Sequence, residues 1–181
     1  MVSEAYEVLN FWFEELTKEQ WFKKDLELDT HIKTRFGATY EAAAACELWH
    51  WRGSARGRLA EVIVLDQFPR NIFRNSPKSF ATDALALVLA QEAVERGHDQ
   101  SLTATEQAFL YMPYMHSESR HIHELAVDLF NQPGLEYNYE FELKHKVIID
   151  RFGRYPHRNE LLGRASTQEE VEFLKEPGSS F

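Results

Sequence analysis

Apolar residues recur every three or four positions over most of the chain, which is the period of an amphipathic α-helix. Leu28, Ile32, Phe36 and Tyr40 show this period most clearly and predict a long helix that continues through residues 42–45. No stretch alternates apolar and polar residues for long enough to predict a β-strand. The pattern therefore predicts an all-α protein.

Capping residues divide the pattern into eight or nine helices. The predicted capping boxes are Thr17 with Gln20, Thr103 with Glu106 and Ser166 with Glu169. The predicted N-caps are Ser3, Asp83 and Ser117, and the predicted helix ends are Gly97 and Gly153. The helix after Ser117 is expected to bury Ile122, Leu125 and Leu129, with Ala126 as a further candidate. Residues 52–57 predict a loop, Pro113 predicts a break in its helix, and Gly37 predicts a close helix contact. Short connections favour antiparallel helix hairpins stacked as an array.

Length and composition predict one domain over residues 1–181, with a flexible tail at 176–181. Hydrophobic residues make up 44% of the chain, enough for a sizeable core. No secretory signal and no membrane-spanning apolar run is visible. Cys46 is the single cysteine, which excludes an internal disulfide, and its apolar neighbours predict that it is buried. We therefore expect a cytoplasmic protein.

The net charge of −9 argues against nucleic acid or an anionic membrane as the partner, since both require a basic face. Two segments are basic although the chain as a whole is acidic. Residues 52–74 hold five arginines against Glu61 and Asp66, and residues 145–164 are similarly basic. These basic segments indicate either a local anion site or arginines that pair with acids from neighbouring helices.

Three segments carry polar residues where packing alone would favour apolar ones. They are residues 65–71 (LDQFPRN), residues 111–119 (YMPYMHSES) and residues 151–159 (RFGRYPHRN). In the first, Asp66 and Arg70 are four residues apart, so they share one face of a helix. In the third, three arginines and His157 surround a glycine–proline corner, and His145 lies two helical turns before it.

At these segments the chain resembles domain-of-unknown-function family 924, a mainly bacterial family without an established reaction. The resemblance extends over essentially the whole chain and also includes Phe11-Trp12-Phe13, Trp21-Phe22, Leu162-Gly163-Arg164 and Ser166-Thr167. Tyr155 departs from the pattern, in which Phe is more usual. The resemblance implies a tetratricopeptide-like helical fold and a shared set of polar positions.

A small-molecule site is the first functional hypothesis. The expected ligand is an anion, phosphate or carboxylate, held by arginine side chains. The candidate ligand-binding residues are Asp66, Arg70, Asn71, Arg151, Arg154, Arg158 and Asn159. Acid–base candidates are His116, Glu118, His145 and His157, with Glu118 or Asp66 orienting a histidine. We expect Asp66, Arg70, His116, His145, Arg154 and His157 to form one cluster, and at least two of Arg151, Arg154 and Arg158 to converge on the anion. No cofactor motif is present, and we predict no cofactor.

The second hypothesis is a protein-interaction module, in which stacked hairpins hold a peptide or an acidic C-terminus in a groove. A third interpretation of the same polar residues is a buried network that only locks the helices together. Whether the protein is an enzyme stays open, as does its oligomeric state.

The sequence favours neither a metal site nor a catalytic nucleophile. Four histidines follow a glutamate by three residues: Glu47/His50, Glu95/His98, Glu118/His121 and Glu142/His145. Such pairs can build a di-iron site, but on helices they are also common as surface pairs. Ser117 and Ser119 lack the glycines of a nucleophile elbow. The four tryptophans are expected to pack in the core.

Overall fold

Ten α-helices follow one another in the computed structural model, which describes residues 1–180. They are α1 (Ala5–Asn10), α2 (Lys18–Phe22), α3 (Leu26–Ala44), α4 (Ala55–Asp66), α5 (Phe68–Ile72), α6 (Asp83–Glu95), α7 (Ala104–Met115), α8 (Arg120–Phe130), α9 (Glu136–Phe152) and α10 (Gln168–Phe173). A π-helical turn, Phe11–Glu15, extends α1, and 3-10 turns cover Trp49–Gly53, Pro77–Phe80, His98–Ser101 and Pro156–Arg158. Residues 1–180 contain no β-strand. The prediction of an all-α protein is confirmed.

Local capping chemistry sets several helix ends where the sequence predicted them. Thr17 accepts a hydrogen bond from the Gln20 N–H, and Thr103 and Glu106 form the corresponding capping box of α7. Gly97 and Gly153 have φ angles of 69° and 70°, the left-handed conformation that ends a helix without a Cβ penalty.

Other predicted caps are wrong by one or two residues. The N-caps are Glu4 rather than Ser3, Thr82 rather than Asp83, Ser119 rather than Ser117, and Thr167 with Glu170 rather than Ser166 with Glu169. At α8 the Ser119 hydroxyl accepts the Ile122 N–H, whereas the Ser117 hydroxyl accepts the Ser119 N–H and shapes the turn before it. Neighbouring Ser and Thr residues offer equivalent acceptors, so tertiary packing selects between them.

Two predicted breaks are also wrong. Pro113 lies inside α7, where burial on neighbouring helices offsets the lost backbone hydrogen bond. The predicted loop at residues 52–57 is largely helical, because the Ser54 hydroxyl accepts the Gly57 N–H and starts α4 at Ala55.

The α4 helix is the centre of the fold. Every residue from Gly57 to Asp66 is buried, and the helix packs against α1, α3, α6 and α7. Helix-period patterning cannot single out one face of such a helix, because all faces are covered. An aromatic cluster of Trp12, Phe36, Phe68 and Phe109 covers one end of it.

Burial departs from the sequence-based expectation at a few apolar positions. Cys46 is exposed and has a φ of 61° just after α3, so the prediction that it is buried is wrong. Trp12 and Trp51 are buried as predicted, but Trp49 is exposed. The α8 helix buries Ala126 as predicted, and Ile122 and Leu129 pack half-buried against the core, but Leu125 is 40% exposed. His123 and Phe130 are buried instead, and His123 pairs with Glu142 of α9.

The C-terminal segment folds back on the helices. Ser179 is buried and its hydroxyl donates to the Leu174 carbonyl. The predicted flexible tail covers 176–181, of which Phe181 lies outside the described residues; its flexibility stays a prediction. None of the helices within residues 1–180 has both the length and the apolar character needed to cross a membrane.

Two helical glycines give a matched test of the packing. A Cβ added at Gly57 would lie 2.0 Å from the Trp51 carbonyl oxygen, whereas a Cβ at Gly37 meets nothing within 4 Å. The close contact predicted at Gly37 is therefore wrong and occurs at Gly57.

We expect Gly57→Ala to lower the free energy of unfolding by about 1–3 kcal/mol through overpacking. Gly37→Ala should raise it by about 0.5–1 kcal/mol, because alanine lowers the entropy of the unfolded chain. Urea unfolding measures both, and equal effects would contradict the packing described for α4.

Candidate functional site

A cavity of about 610 Å³ lies between α2, α5, α7, α9 and the Pro156–Arg158 turn. Its polar lining comes from all three segments that the sequence singles out: Arg70 and Asn71, His116, and His157 with Arg158. His145 of α9 adds a third histidine, and Ser180 lies at the edge. Residues separated by up to about ninety positions therefore meet at one place.

Asp66 and His116 form the central pair. Asp66 is the last residue of α4 and is fully buried, and its Oδ1 lies 2.8 Å from Nδ1 of His116 at the end of α7. Gln67 Nε2 donates to the other carboxylate oxygen at 2.6 Å. Arg70, one turn later, lies 3.6 Å from Oδ1 and donates to the Asp66 carbonyl oxygen. Because an ionised carboxylate only accepts, Nδ1 of His116 carries the proton and Nε2 is left as the acceptor.

Charge and burial set the ionisation of this pair. Burial alone would raise the pKa of Asp66, but the charge of His116 in its protonated form, the charge of Arg70 and the hydrogen bonds from His116 and Gln67 outweigh it and lower that pKa. Burial lowers the pKa of His116, and Arg70 adds to this effect against the opposing influence of Asp66. An ionised Asp66 beside a neutral His116 is therefore the resting state at neutral pH.

Asp83, in the first turn of α6, joins two arginines of the site. Arg70 binds both of its carboxylate oxygens, at 2.9 and 3.1 Å, and Arg158 Nη1 lies 3.3 Å from Oδ2. Arg158 also donates to the His116 carbonyl and packs over Phe80 and Tyr155, with its Cζ at 4.5 and 4.6 Å from the ring centroids. From the sequence, Asp83 is predicted only as a helix cap, and no signal in the sequence connects it to two distant arginines.

The other two cavity histidines are neutral. His145 Nδ1 donates to the Phe141 carbonyl at 2.7 Å, and burial lowers the pKa of His145 to about 3. Burial, with the charge of Arg158, lowers the pKa of His157 to about 4. Nδ1 of His157 is buried and makes no hydrogen bond within the described chain.

Glu118 and Asn159 lie behind the cavity and shape the corner that carries His157. Glu118 accepts from Arg164 at 2.6 and 2.9 Å and from the Tyr155 backbone N–H at 2.7 Å. Asn159 accepts from Arg164 Nε at 2.9 Å and donates to Ser166. Burial opposes ionisation of Glu118, but the Arg164 and Tyr155 hydrogen bonds outweigh it and lower its pKa. Glu118 does not contact the histidine that it was expected to orient.

Arg151 and Arg154 are directed to α10 rather than to the cavity. Arg151 Nε donates to Glu169 at 2.8 Å, and Arg154 binds both oxygens of Glu170 at 2.7 and 2.8 Å. Asn71 does line the cavity, and its amide also donates to Asp29 at 2.8 Å. The structure thus brings Asp66, Arg70, His116, His145 and His157 together with Arg158 and Asn71, and leaves Arg151, Arg154, Glu118 and Asn159 outside.

Among residues 1–180, no group of three or more His, Cys, Asp and Glu side chains is placed to hold a metal ion. Glu142, one member of the Glu142/His145 pair, lies 2.6 Å from Nδ1 of His123 instead. Tyr155 closes the same buried group, with its hydroxyl donating to the Met115 carbonyl at 2.6 Å.

Comparison with known proteins identifies the family. The model of a family described as "Bacterial protein of unknown function (DUF924)" matches residues 8–178, and the chain belongs to this family. A solved structure of a protein of unknown function, ATU0120 from Agrobacterium tumefaciens, is 40% identical to it, with a TM-score of 0.90. The alignment covers 94% of this chain and 96% of that chain. No curated protein matches.

The neutral histidines make stability depend on pH. The unfolded chain binds a proton at each histidine near pH 6.5, whereas the folded protein does so at His145 only near pH 3. The contribution of the neutral His145 to the free energy of unfolding is therefore complete above pH 6.5. It is lost as the pH falls towards 3, by up to about 1.4 kcal/mol per pH unit. We expect His145→Gln to reduce the loss of unfolding free energy between pH 7 and pH 4.5, measured by urea titration. His121→Gln, at a side chain that is 75% exposed, should leave the slope unchanged. Identical slopes for the two variants would contradict a buried neutral His145.

Proposed function

We propose that the cavity binds a small anionic molecule and that His116 acts on it as a general acid or base. The observation that carries the proposal is the Asp66–His116 pair, with Asp66 fully buried and His116 lining the cavity. Nε2 of His116 makes no hydrogen bond to any described residue, and the side chain keeps 16% exposure. A histidine held in one tautomer by a buried carboxylate, with its other nitrogen accessible, is suited to proton transfer.

The electrostatics support a base that works near neutral pH. Neutral His116 accepts a proton on Nε2, and the resulting imidazolium is stabilised by the ionised Asp66 at 2.8 Å. Arg70 opposes this step because its charge disfavours the imidazolium. The balance keeps His116 unprotonated at rest and still able to accept a proton from a bound substrate. Gln67 and Arg70 hold Asp66, so the pair needs no rearrangement.

Two cations support an acidic group on the ligand. The guanidinium of Arg158 carries five N–H groups, yet its hydrogen bonds within the described chain run from Nη1 and Nη2 only, and Nε has no partner there. Lys23 lines the same cavity and has no ion pair among residues 1–180. Asp66 and Asp83 balance Arg70 and Arg158, so Lys23 adds the unbalanced charge at the cavity.

The tetratricopeptide-like arrangement and the peptide-binding module that it suggested stay predictions. The all-helical architecture is compatible with both, but three arginines of the basic segment 145–164, which could hold an acidic C-terminus, have partners within this chain. Arg151, Arg154 and Arg164 are paired with Glu169, Glu170 and Glu118. A cavity that contains a buried Asp–His pair favours the small-molecule hypothesis over a groove for peptides.

Chemical modification tests the accessible nitrogen without knowledge of the substrate. Diethylpyrocarbonate acylates neutral imidazole, and mass spectrometry locates the modified histidine. We expect His116 to react at pH 7, and the midpoint of its pH profile to lie below the ordinary value of about 6.5 because its pKa is lowered. Asp66→Asn should slow the reaction at pH 7, since the amide no longer fixes the Nδ1–H tautomer.

Two histidines of the same chain serve as controls for this measurement. His121 is 75% exposed and should react at pH 7 in the wild-type protein and in Asp66→Asn alike, whereas His123 has no exposure and should stay unmodified in the folded protein. Circular dichroism establishes that Asp66→Asn is folded. If His116 reacts no faster than His123, its nitrogen does not face an open cavity and the proposal is wrong.

A further inference from the structure

We infer that the ligand is an amphipathic carboxylate, bound with its head on the polar floor and its apolar body between aromatic side chains at the mouth. The inference rests on the proposed function, because it assigns a ligand class to the same cavity. It comes from the order of side chains along the two helices that form the walls and from their exposure.

The first wall of the cavity is formed by α7, and the side chains near the cavity change from apolar to polar along this helix. Near Phe109 the neighbours are Trp21 and Phe22, with ring centroids at 4.9 and 6.4 Å from that of Phe109. Met112 lies one turn further on, and His116 lies one turn beyond that, at the end of the helix. Seven residues at 1.5 Å each place the histidine about 10 Å from the aromatic end.

The second wall follows α9 with the same order. Tyr137 and Phe141 line the cavity from the first turns, with ring centroids 4.8 Å apart, and His145 lies one turn further along. The eight residues from Tyr137 to His145 correspond to about 12 Å. Because α8 packs on both α7 and α9 and is joined to each by a short connection, α7 and α9 run in the same direction. Both walls therefore change from aromatic to polar towards the same end.

Exposure shows which end is open. Phe22 and Tyr137 are 60% and 62% exposed, whereas Tyr155 and Arg158 are 1% and 7% exposed. The aromatic end is thus the mouth and the polar end is the floor. A ligand that satisfies both ends enters with its polar group first and covers exposed aromatic surface with its apolar part. Met112 and Met115 line the section between them, and methionine adapts to variable apolar shapes.

The floor favours a carboxylate over a phosphate. Arg158 offers a planar guanidinium, which matches a planar carboxylate, and His116 lies beside it. The carboxylates of Asp66 and Asp83 lie directly behind the floor, against Arg70 and Arg158, so a dianionic group would meet stronger repulsion and a larger desolvation penalty than a single charge. A body of about 10 Å corresponds to a medium-length alkyl chain or a fused aromatic ring system.

A homologous series of carboxylates tests the length and the head group. Acetate, butanoate, hexanoate and octanoate are titrated against the wild-type protein by calorimetry and by protection of His116 from diethylpyrocarbonate. We expect the dissociation constant to fall by about threefold to fourfold for each added methylene. In calorimetry, octanol and octylamine should bind at least about tenfold more weakly than octanoate, because they lack the acidic head. If octanol equals octanoate, the assigned head group is wrong.

A variant at the mouth separates this inference from the proposed function. Tyr137→Ala removes an exposed ring and should weaken octanoate by about fivefold to tenfold while leaving acetate unchanged. Tyr6→Ala, at a tyrosine that is 71% exposed and does not line the cavity, is the matched control and should change neither. Two outcomes would overturn the amphipathic ligand and leave the proposed function standing. One is equal affinity for acetate and octanoate, and the other is a series in which no carboxylate binds while His116 still reacts with diethylpyrocarbonate. An unreactive His116 overturns both.

Discussion

The carboxylate of Asp83 lies between the guanidinium groups of Arg70 and Arg158, which are 88 positions apart in the sequence. Taking three charged groups out of water is costly, and it is tolerated only when each charge is close to its opposite. The ion pairs therefore tie α5, the start of α6 and the Pro156–Arg158 turn into one arrangement. Both arginines line the cavity, so its floor exists only in the geometry that this carboxylate imposes.

A second group of ion pairs holds the corner from behind. Glu118 binds Arg164 and the Tyr155 N–H, and Arg154 binds Glu170 of α10. These contacts orient the segment that carries His157 and Arg158 without facing the cavity themselves. The polar residues of the family motifs thus divide into two groups, one that builds the corner and one that lines the cavity. The buried network and the proposed ligand site, which are alternatives from the sequence, are compatible within one arrangement.

The basic segments show why local charge is a weak guide to partners. Each arginine in residues 52–74 has an acid within 4 Å: Arg52 with Glu61, Arg56 with Glu106, Arg58 with Glu92, Arg70 with Asp83 and Arg74 with Asp29. Most of these acids come from other helices. The surplus of positive charge along the segment is therefore balanced on folding. At the cavity, Arg158 keeps unused hydrogen-bonding capacity, and Lys23 has no ion pair among residues 1–180.

The sequence by itself determined the helical class, the long helix through Ile32 and Phe36, two capping boxes and the glycine ends, because these follow from local periodicity and backbone chemistry. It also marked the three segments that supply Asp66, His116 and Arg158. It did not determine which of their neighbours face the cavity: Arg154 and Arg158 are four residues apart, yet one binds Glu170 and the other Asp83. Only the tertiary structure decided this, as it decided the continuation of α7 through Pro113 and the burial of His123 instead of Leu125. In each case the deciding partner comes from a distant part of the chain, and the contact free energy of that partner exceeds the local preference.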